Sequence, residues 1–265
     1  MSGAAMVGAA GSSGLVLSST TQTRDKLRAN GEAVERMKRG GRVVDRLASR
    51  LRRMSHGVKT AARLMSEVCT RRGFRYRAAM ITLTYRDAAQ WRACHVREFL
   101  DTVRKFTQRA GHDFRYVWVA EMQQRGVVHY HVLVWMPHGF RLPKPDDRGW
   151  WAHGSTKIEW ARKCVGYLAK YASKGMEPDA PAFPKGIRIS GNGGLDLEAK
   201  REFRWWRAPS EAREFLGPGA DVRRINGGRF DAVTGLFWAS PWTLVLLDGQ
   251  PFMINKDLRP CSVSK

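Results

Sequence analysis

His129 and His131 stand two residues apart in the segment Arg125-Gly126-Val127-Val128-His129-Tyr130-His131-Val132-Leu133-Val134-Trp135, which is otherwise largely apolar. Side chains alternate faces along a β-strand, so the two imidazoles point the same way. A pair of imidazoles on one buried face is costly unless it is bound or hydrogen-bonded, and a metal ion is the commonest partner. The His-x-His pair alone is read equally well as metal ligands or as hydrogen-bonded core histidines. A hairpin turning at Gln123-Gln124-Arg125-Gly126 sets Glu121 directly across from His129, and opposed residues of an antiparallel pair share a face. Two imidazoles and a carboxylate make a divalent-metal site with positions open to water or substrate. Glu159 is a weaker third donor, and His138 and His153 fall in loop-like sequence as bystanders.

Further along, Gly166-Tyr167-Leu168-Ala169-Lys170-Tyr171-Ala172-Ser173-Lys174-Gly175 repeats tyrosine and lysine at a spacing of four. In a helix that spacing puts Tyr167 with Tyr171, and Lys170 with Lys174, on shared faces. The two phenols then lie about 6 Å apart along the axis, close enough to serve one metal in turn. A lone tyrosine at helical spacing is ordinarily a packing residue; the doubled block beside a metal hairpin points to nucleophiles. A phenol of pKa about 10 attacks poorly at neutral pH. Nearby cations, here Lys170, Lys174 and a metal, favour phenolate.

These groups need a frame. The alternating run Met80-Ile81-Thr82-Leu83-Thr84-Tyr85 predicts a strand. Val96, Phe99, Leu100, Val103 and Phe106 predict a helix over 96–109. Two strands follow over 114–122 and 127–135, then a loop over 137–150, a short strand over 156–160 and a helix over 161–174 stopped by Gly175. That order predicts an α+β fold: an antiparallel sheet with a central metal-binding hairpin and helices packed on one side, preceded by basic N-terminal helices. Those helices follow an apolar stripe through Val43, Leu47, Leu51, Met54, Val58, Ala62, Met65 and Cys69, with a break at Gly57 as one option. Arg42, Arg46, Arg50 and Arg53 line the adjacent face, read first as solvated and also compatible with DNA contact. Towards the C-terminus, 196–206 reads as a helix and 227–247 as a hairpin turning at 231–235. The expected divisions are a disordered tail over 1–23, a basic helical region over 24–75, an endonuclease core over 76–176 and an extension over 177–265.

The whole chain of 265 residues carries a formal net charge of +22, which calls for a polyanionic partner, most simply nucleic acid. Residues 1–75 hold 16 Lys and Arg against 5 Asp and Glu, half of the net charge in under a third of the length. No apolar run reaches the length of a membrane span, and the first 23 residues lack the pattern of a secretory signal. Cys69, Cys94, Cys164 and Cys261 form no Cys-x-x-Cys pair, which fits a reducing cytoplasm. No Gly-x-x-x-x-Gly-Lys-[Ser/Thr] segment is present, which argues against a nucleotide-driven motor. Ten tryptophans, with the pairs Trp150-Trp151 and Trp205-Trp206, offer stacking surfaces for bases, although most are expected in the core.

Taken in order, the Ile81-Thr82-Leu83-Thr84-Tyr85 strand, the His129-Tyr130-His131 pair and the tyrosine helix resemble the HUH endonucleases, specifically the rolling-circle replication initiators of small single-stranded DNA phages, viruses and plasmids. Lys185-Gly186-Ile187-Arg188-Ile189-Ser190-Gly191 and the later Gly-Gly-Arg-Phe-Asp to Ser-Pro-Trp series ending at Trp242 resemble the filamentous-phage initiators. The resemblance spans residues 75–245. It implies tyrosine attack on an origin phosphodiester with Mg²⁺ or Mn²⁺ held by His129, His131 and Glu121, leaving a 5′-phosphotyrosine and a free 3′-OH primer that is later rejoined. Tyr171 is taken as the first nucleophile and Tyr167 as the second or as a packing residue. Arg125, Arg71, Arg72 and Arg75 are the arginines expected to meet DNA. Single-stranded DNA at the origin, a host helicase and a host polymerase are the implied partners, and the host bacterial cytoplasm is the implied location. Two other readings stand beside this one: an HUH-type transposase acting on hairpin ends, and a basic DNA-binding protein without catalysis. A histidine-triad nucleotide hydrolase is set aside because Leu133 stands where its third histidine belongs.

Overall fold

The computed structural model describes residues 28, 30–73, 75–162, 165, 166, 168, 171 and 181–258. The predicted tail over 1–23 lies outside the described residues. The chain divides into two compact units. Residues 46–239 form one; the described residues of the other are 28–45 and 240–258.

The larger unit is built on a five-stranded antiparallel sheet. In chain order its strands are β2 (Tyr76–Thr84), β3 (Arg115–Met122), β4 (Val128–Pro137), β5 (Thr156–Trp160) and β6 (Ser190–Gly193). Their spatial order is β5-β2-β4-β3-β6, so the β3–β4 hairpin sits at the centre, as the sequence predicts. Nine of the ten β4 residues are buried. A strand buried on both faces needs cover on both, and here it has it.

One face carries Trp135, and the helix α2 (Arg46–Arg71) lies against it, with the Trp135 indole donating to Ser66 Oγ at 3.2 Å. Tyr116 and Trp118 point to the other face. There they line a cleft with Val96 and Leu100 of α3 (His95–Arg109). The expectation of helices on one side is therefore corrected: α2 and α3 flank the sheet. The physical cause is the continuous apolar run of β4, which alternation of polar and apolar residues would have left open on one face.

α2 runs unbroken through Gly57. Its inward side chains include Leu51, Met54, Val58, Leu64, Met65 and Val68, each worth about 1.5–3 kcal/mol on burial. That packing outweighs the roughly 1 kcal/mol helix cost of one glycine. Strand β2 begins at Tyr76, ahead of the predicted Met80. The edge strand β6, absent from the sequence reading, pairs with β3 through Ser190–Gly193. A Cβ at Gly191 would meet Trp118 Nε1 at 2.6 Å, so only glycine lets this strand lie beneath that indole.

Two further helices, α4 (Leu197–Trp206) and α5 (Ser210–Leu216), follow. α4 starts where predicted, with Asp196 capping the Ala199 amide at 2.9 Å. The predicted hairpin over 227–247 is corrected. β7 (Val222–Ile225), β8 (Gly228–Asp231) and β9 (Phe237–Ala239) form a three-stranded sheet of the larger unit. β10 (Trp242–Leu247) belongs instead to the smaller unit, paired with β11 (Gln250–Asn255), which also pairs β1 (Arg42–Val43). The turn does fall at the predicted place, because the Asp231 carboxylate accepts from the Val233 and Thr234 amides and the Thr234 hydroxyl. In the smaller unit a helix over 30–40, here α1, packs Val34 and Met37 on Leu247, Phe252 and Ile254.

Candidate active site

The β3–β4 register places Glu121 opposite His129, and the β2–β4 register places Thr82 opposite His131 and Thr84 opposite His129. Glu121, His129, His131, Thr82 and Thr84 thus share one face of three adjacent strands, the face that α2 covers. Glu121 and His129 are each 8% exposed and His131 is 4% exposed. His131 Nε2 stands 2.6 Å from Glu121 Oε2, with the carboxylate as acceptor, and its Nδ1 stands 3.3 Å from the Thr82 hydroxyl. The ring is pinned at both nitrogens. The centroids of the two imidazoles are 6.4 Å apart.

Residues 165, 166, 168 and 171 are helical, and Tyr171 lays its ring on His131, centroid to centroid 3.5 Å and 12° from parallel. The structure thus brings together four of the residues singled out from the sequence: Glu121, His129, His131 and Tyr171. Tyr167, Lys170 and Lys174 lie outside the described residues. Glu159 pairs with Met80 at the sheet edge, exposed and bound to Lys157 at 2.8 Å, and it stays apart from the histidines.

The four arginines expected to meet DNA divide into two groups. Arg125 is exposed on the β3–β4 turn, with Nε donating to Gln123 Oε1 at 2.8 Å and Nη2 reaching the Tyr85 carbonyl at 3.4 Å. It lines a pocket of about 650 Å³ with Thr84, Arg86, Asp146, Asp147 and Ser155, at the end of β2 that faces His129. Burial works to raise the Asp146 pKa, but the Thr156 hydroxyl, the Lys144 ammonium and the Thr156 amide draw it down to about 2. Arg71, Arg72 and Arg75 lie at the opposite end of β2. Arg71 is paired with Glu198 and Arg72 with Asp113.

A second cluster of histidine and tyrosine lies on the other side of the sheet. Tyr85 is fully buried, and its hydroxyl stands 3.1 Å from His95 Nδ1. His95 stacks on His153 at 3.6 Å and 10°. Trp151 presents its edge to Tyr85, His95 and His153. Burial pushes the Tyr85 pKa well above the ordinary phenol value, with the neighbouring Tyr130 adding to the effect. His153, read as a bystander, is a packing partner. At the start of α3, Cys94, His95 and Glu98 hold donor atoms within 4.8 Å of one another, a metal-capable group absent from the sequence reading. Its signal is three donor types inside five residues at a helix start. Thr82 is likewise a partner of His131 that the sequence reading lacks. The strand period that pairs His129 with His131 also pairs Thr82 with Thr84, and a β2–β4 register would have named it.

No helix among the described residues is long and apolar enough to cross a membrane. No curated protein and no solved structure matches the chain. A protein-family model does match, and it covers β2 through the tyrosine helix, the stretch that carries Glu121, both histidines and Tyr171. Over residues 78–176 the chain carries the domain described as Replication-associated protein ORF2, the domain of the filamentous-phage replication initiator family.

Proposed function

We propose that the chain initiates rolling-circle DNA replication by nicking one strand at an origin, with Tyr171 as nucleophile and Glu121, His129 and His131 as the ligands of a divalent cation. The observation that carries this reading is the parallel contact of Tyr171 on His131, inside the segment that matches the replication-associated family. The donor set fits a hard or borderline divalent ion: two imidazoles and a carboxylate converge from neighbouring strands. A metal-ligating histidine ordinarily has its other ring nitrogen fixed by a hydrogen bond, and Thr82 is placed to do this for His131. Mg²⁺ or Mn²⁺ held there would polarise a phosphodiester oxygen.

The chain's own groups do the rest. The Tyr171 phenol gives up its proton and its oxygen bonds the phosphorus. The 3′-oxygen leaves and takes up a proton, so that a 5′-phosphotyrosine and a 3′-OH primer result. Burial of Glu121 and His131 fixes their geometry before substrate arrives, which places the cost of ordering in folding and not in the reaction. Arg125 and Arg86, beside the pocket at the His129 end of β2, are suited to the flanking phosphates of a single strand. Tyr167 is the second nucleophile for rejoining, and Lys170 and Lys174 favour the phenolate. A host helicase and polymerase extend the released 3′-OH.

The test is a denaturing gel of the protein incubated with single-stranded origin DNA and Mn²⁺. A covalent adduct is expected from wild type and from Tyr167→Phe, and none from Tyr171→Phe. An undiminished adduct from the Tyr167→Phe, Tyr171→Phe double variant would remove tyrosine from the mechanism.

A further inference from the structure

Outside residues 78–176, five basic side chains gather where α2 meets α4 and α5. Arg53, His56 and Lys59 are exposed on one stretch of α2. Arg207, just past α4, crosses Gly57 and donates to the Arg53 carbonyl at 3.2 Å. Its guanidinium lies so close that a Cβ on Gly57 would meet Nη1 at 1.8 Å. Arg213 of α5 sets its guanidinium over Trp205 and Trp206, 5.1 Å from each ring. Among the described residues none of the five is in an ion pair, while elsewhere in the chain Arg63, Arg71, Arg72, Arg104, Arg115 and Arg204 all have carboxylate partners.

The electrostatics agree. Burial lowers the His56 pKa first, and Arg207, Arg213 and Lys59 lower it further. Burial and then the Arg53 charge lower that of Arg207. Among the described residues no carboxylate offsets these effects. Like charges brought this close without a counter-charge lose stability unless an anion shares the site.

The aromatic residues decide what kind of anion. Trp205 Nε1 donates to the Gly217 carbonyl and Trp206 Nε1 to Glu202 Oε1. Arg213 lies over both indoles, and Arg63 lies over Trp206 as well, at 5.4 Å. Rings already covered by guanidinium groups are poor platforms for unstacked bases, which is what a single strand would need. The patch therefore offers charge without base stacking. We propose that Arg53, His56, Lys59, Arg207 and Arg213 form a second nucleic-acid surface that grips the phosphate backbone of duplex DNA without reading its sequence. The inference rests on the preceding reading only for the choice of DNA as polyanion; it needs neither the metal nor the tyrosine.

The experiment is fluorescence anisotropy of the full chain with a labelled duplex of about 20 base pairs and arbitrary sequence, in EDTA so that no nicking intervenes, at salt between about 50 and 200 mM. Removing two phosphate contacts with Lys59→Gln, Arg207→Gln should make the slope of log affinity against log salt shallower by about 1.8, and should weaken binding roughly 30-fold at physiological salt. Gly57→Ala is the second variant. It displaces the Arg207 guanidinium while favouring the helix, so affinity should fall roughly fivefold with no loss of thermal stability. Lys38→Gln, Arg104→Gln removes the same net charge from ion-paired positions and should leave the slope unchanged. On duplex addition the His56 ring protons, followed by NMR, should titrate at higher pH than in the free protein. Equal losses from the patch and control variants would overturn the proposal, as would a patch variant that weakens only single-strand binding. Loss of the tyrosine adduct with duplex binding intact would count against the nicking reading alone.

Discussion

The sheet carries two clusters of the same residue types on its opposite faces, and they are built differently. On one face, Glu121, His129, His131 and Tyr171 meet around a carboxylate, with His131 held at both ring nitrogens and the two imidazoles 6.4 Å apart. On the other, Tyr85, His95, His153 and Trp151 meet around one another, with the imidazoles face to face at 3.6 Å. The first arrangement separates its imidazoles and brings in a negative charge, as a cation would require. The second stacks its imidazoles so tightly that both cannot carry charge without repulsion, and it has the geometry of packing. Histidine and tyrosine in proximity therefore say little; the spacing and the presence of a carboxylate discriminate.

The largest effect that tests this contrast is on the nucleophiles. Tyr171→Phe should lower adduct formation by more than about 10³-fold while leaving the fold intact, because the ring that rests on His131 is retained. Tyr85→Phe, on the other face, should leave the adduct rate within about twofold. Similar losses from both would erase the functional difference between the two faces.

Metal binding comes next. By titration calorimetry, His129→Ala or His131→Ala should abolish Mn²⁺ binding, and Glu121→Gln should weaken it roughly 10- to 100-fold. His95→Ala should leave Mn²⁺ binding unchanged. The Cys94–His95–Glu98 group contains a thiol, so its preference should be for Zn²⁺ over Mn²⁺. Mn²⁺ binding that disappears with His95→Ala and survives His129→Ala would exchange the roles of the two clusters.

How much of this was legible in the sequence follows from the range of each interaction. The hairpin and its register were readable because a two-residue period and a short turn fix which residues oppose, and Glu121 across from His129 follows from counting. The burial of β4 on both faces was also written in its uninterrupted apolar run, but the expectation of a one-sided sheet overrode it. The aromatic cluster was not legible. His153 reaches His95 across a loop of irregular backbone, and no periodicity encodes such a contact. The assignment of β10 to another sheet failed for a similar reason: its partner β11 follows it, while the preceding turn suggested pairing backwards. Arg207 meeting Gly57 is a contact between residues 150 apart, invisible in the stripe analysis that singled out Arg53.

A smaller effect separates the clusters by stability. Tyr85→Phe removes a hydroxyl from a fully buried ring and leaves His95 Nδ1 without that partner. The expected cost is about 1 kcal/mol, read as a shift of the urea midpoint at unchanged slope. A neutral result would mean that the hydroxyl is dispensable and that ring packing alone holds the cluster.

The smallest effect is on pH dependence, and its sign follows from the stacking. Burial lowers the His95 pKa, the His153 ring lowers it further, Glu98 opposes and Arg92 adds to the lowering. Above about pH 6.5 the imidazole is neutral in both the folded and the unfolded chain, so it contributes no pH dependence there. As the pH falls through about 6.5, the unfolded chain takes the proton first, and stability is lost until the folded pKa is passed. The melting temperature should therefore decline slightly as the pH falls below about 6.5. In His153→Gln the facing imidazole is gone, the folded pKa should move back up, and the decline should shrink. A His95 resonance that titrates at or above about 6.5 in the unaltered protein would mean that the stacked pair accepts charge, and the distinction between a packing cluster and a charge-handling one would no longer hold.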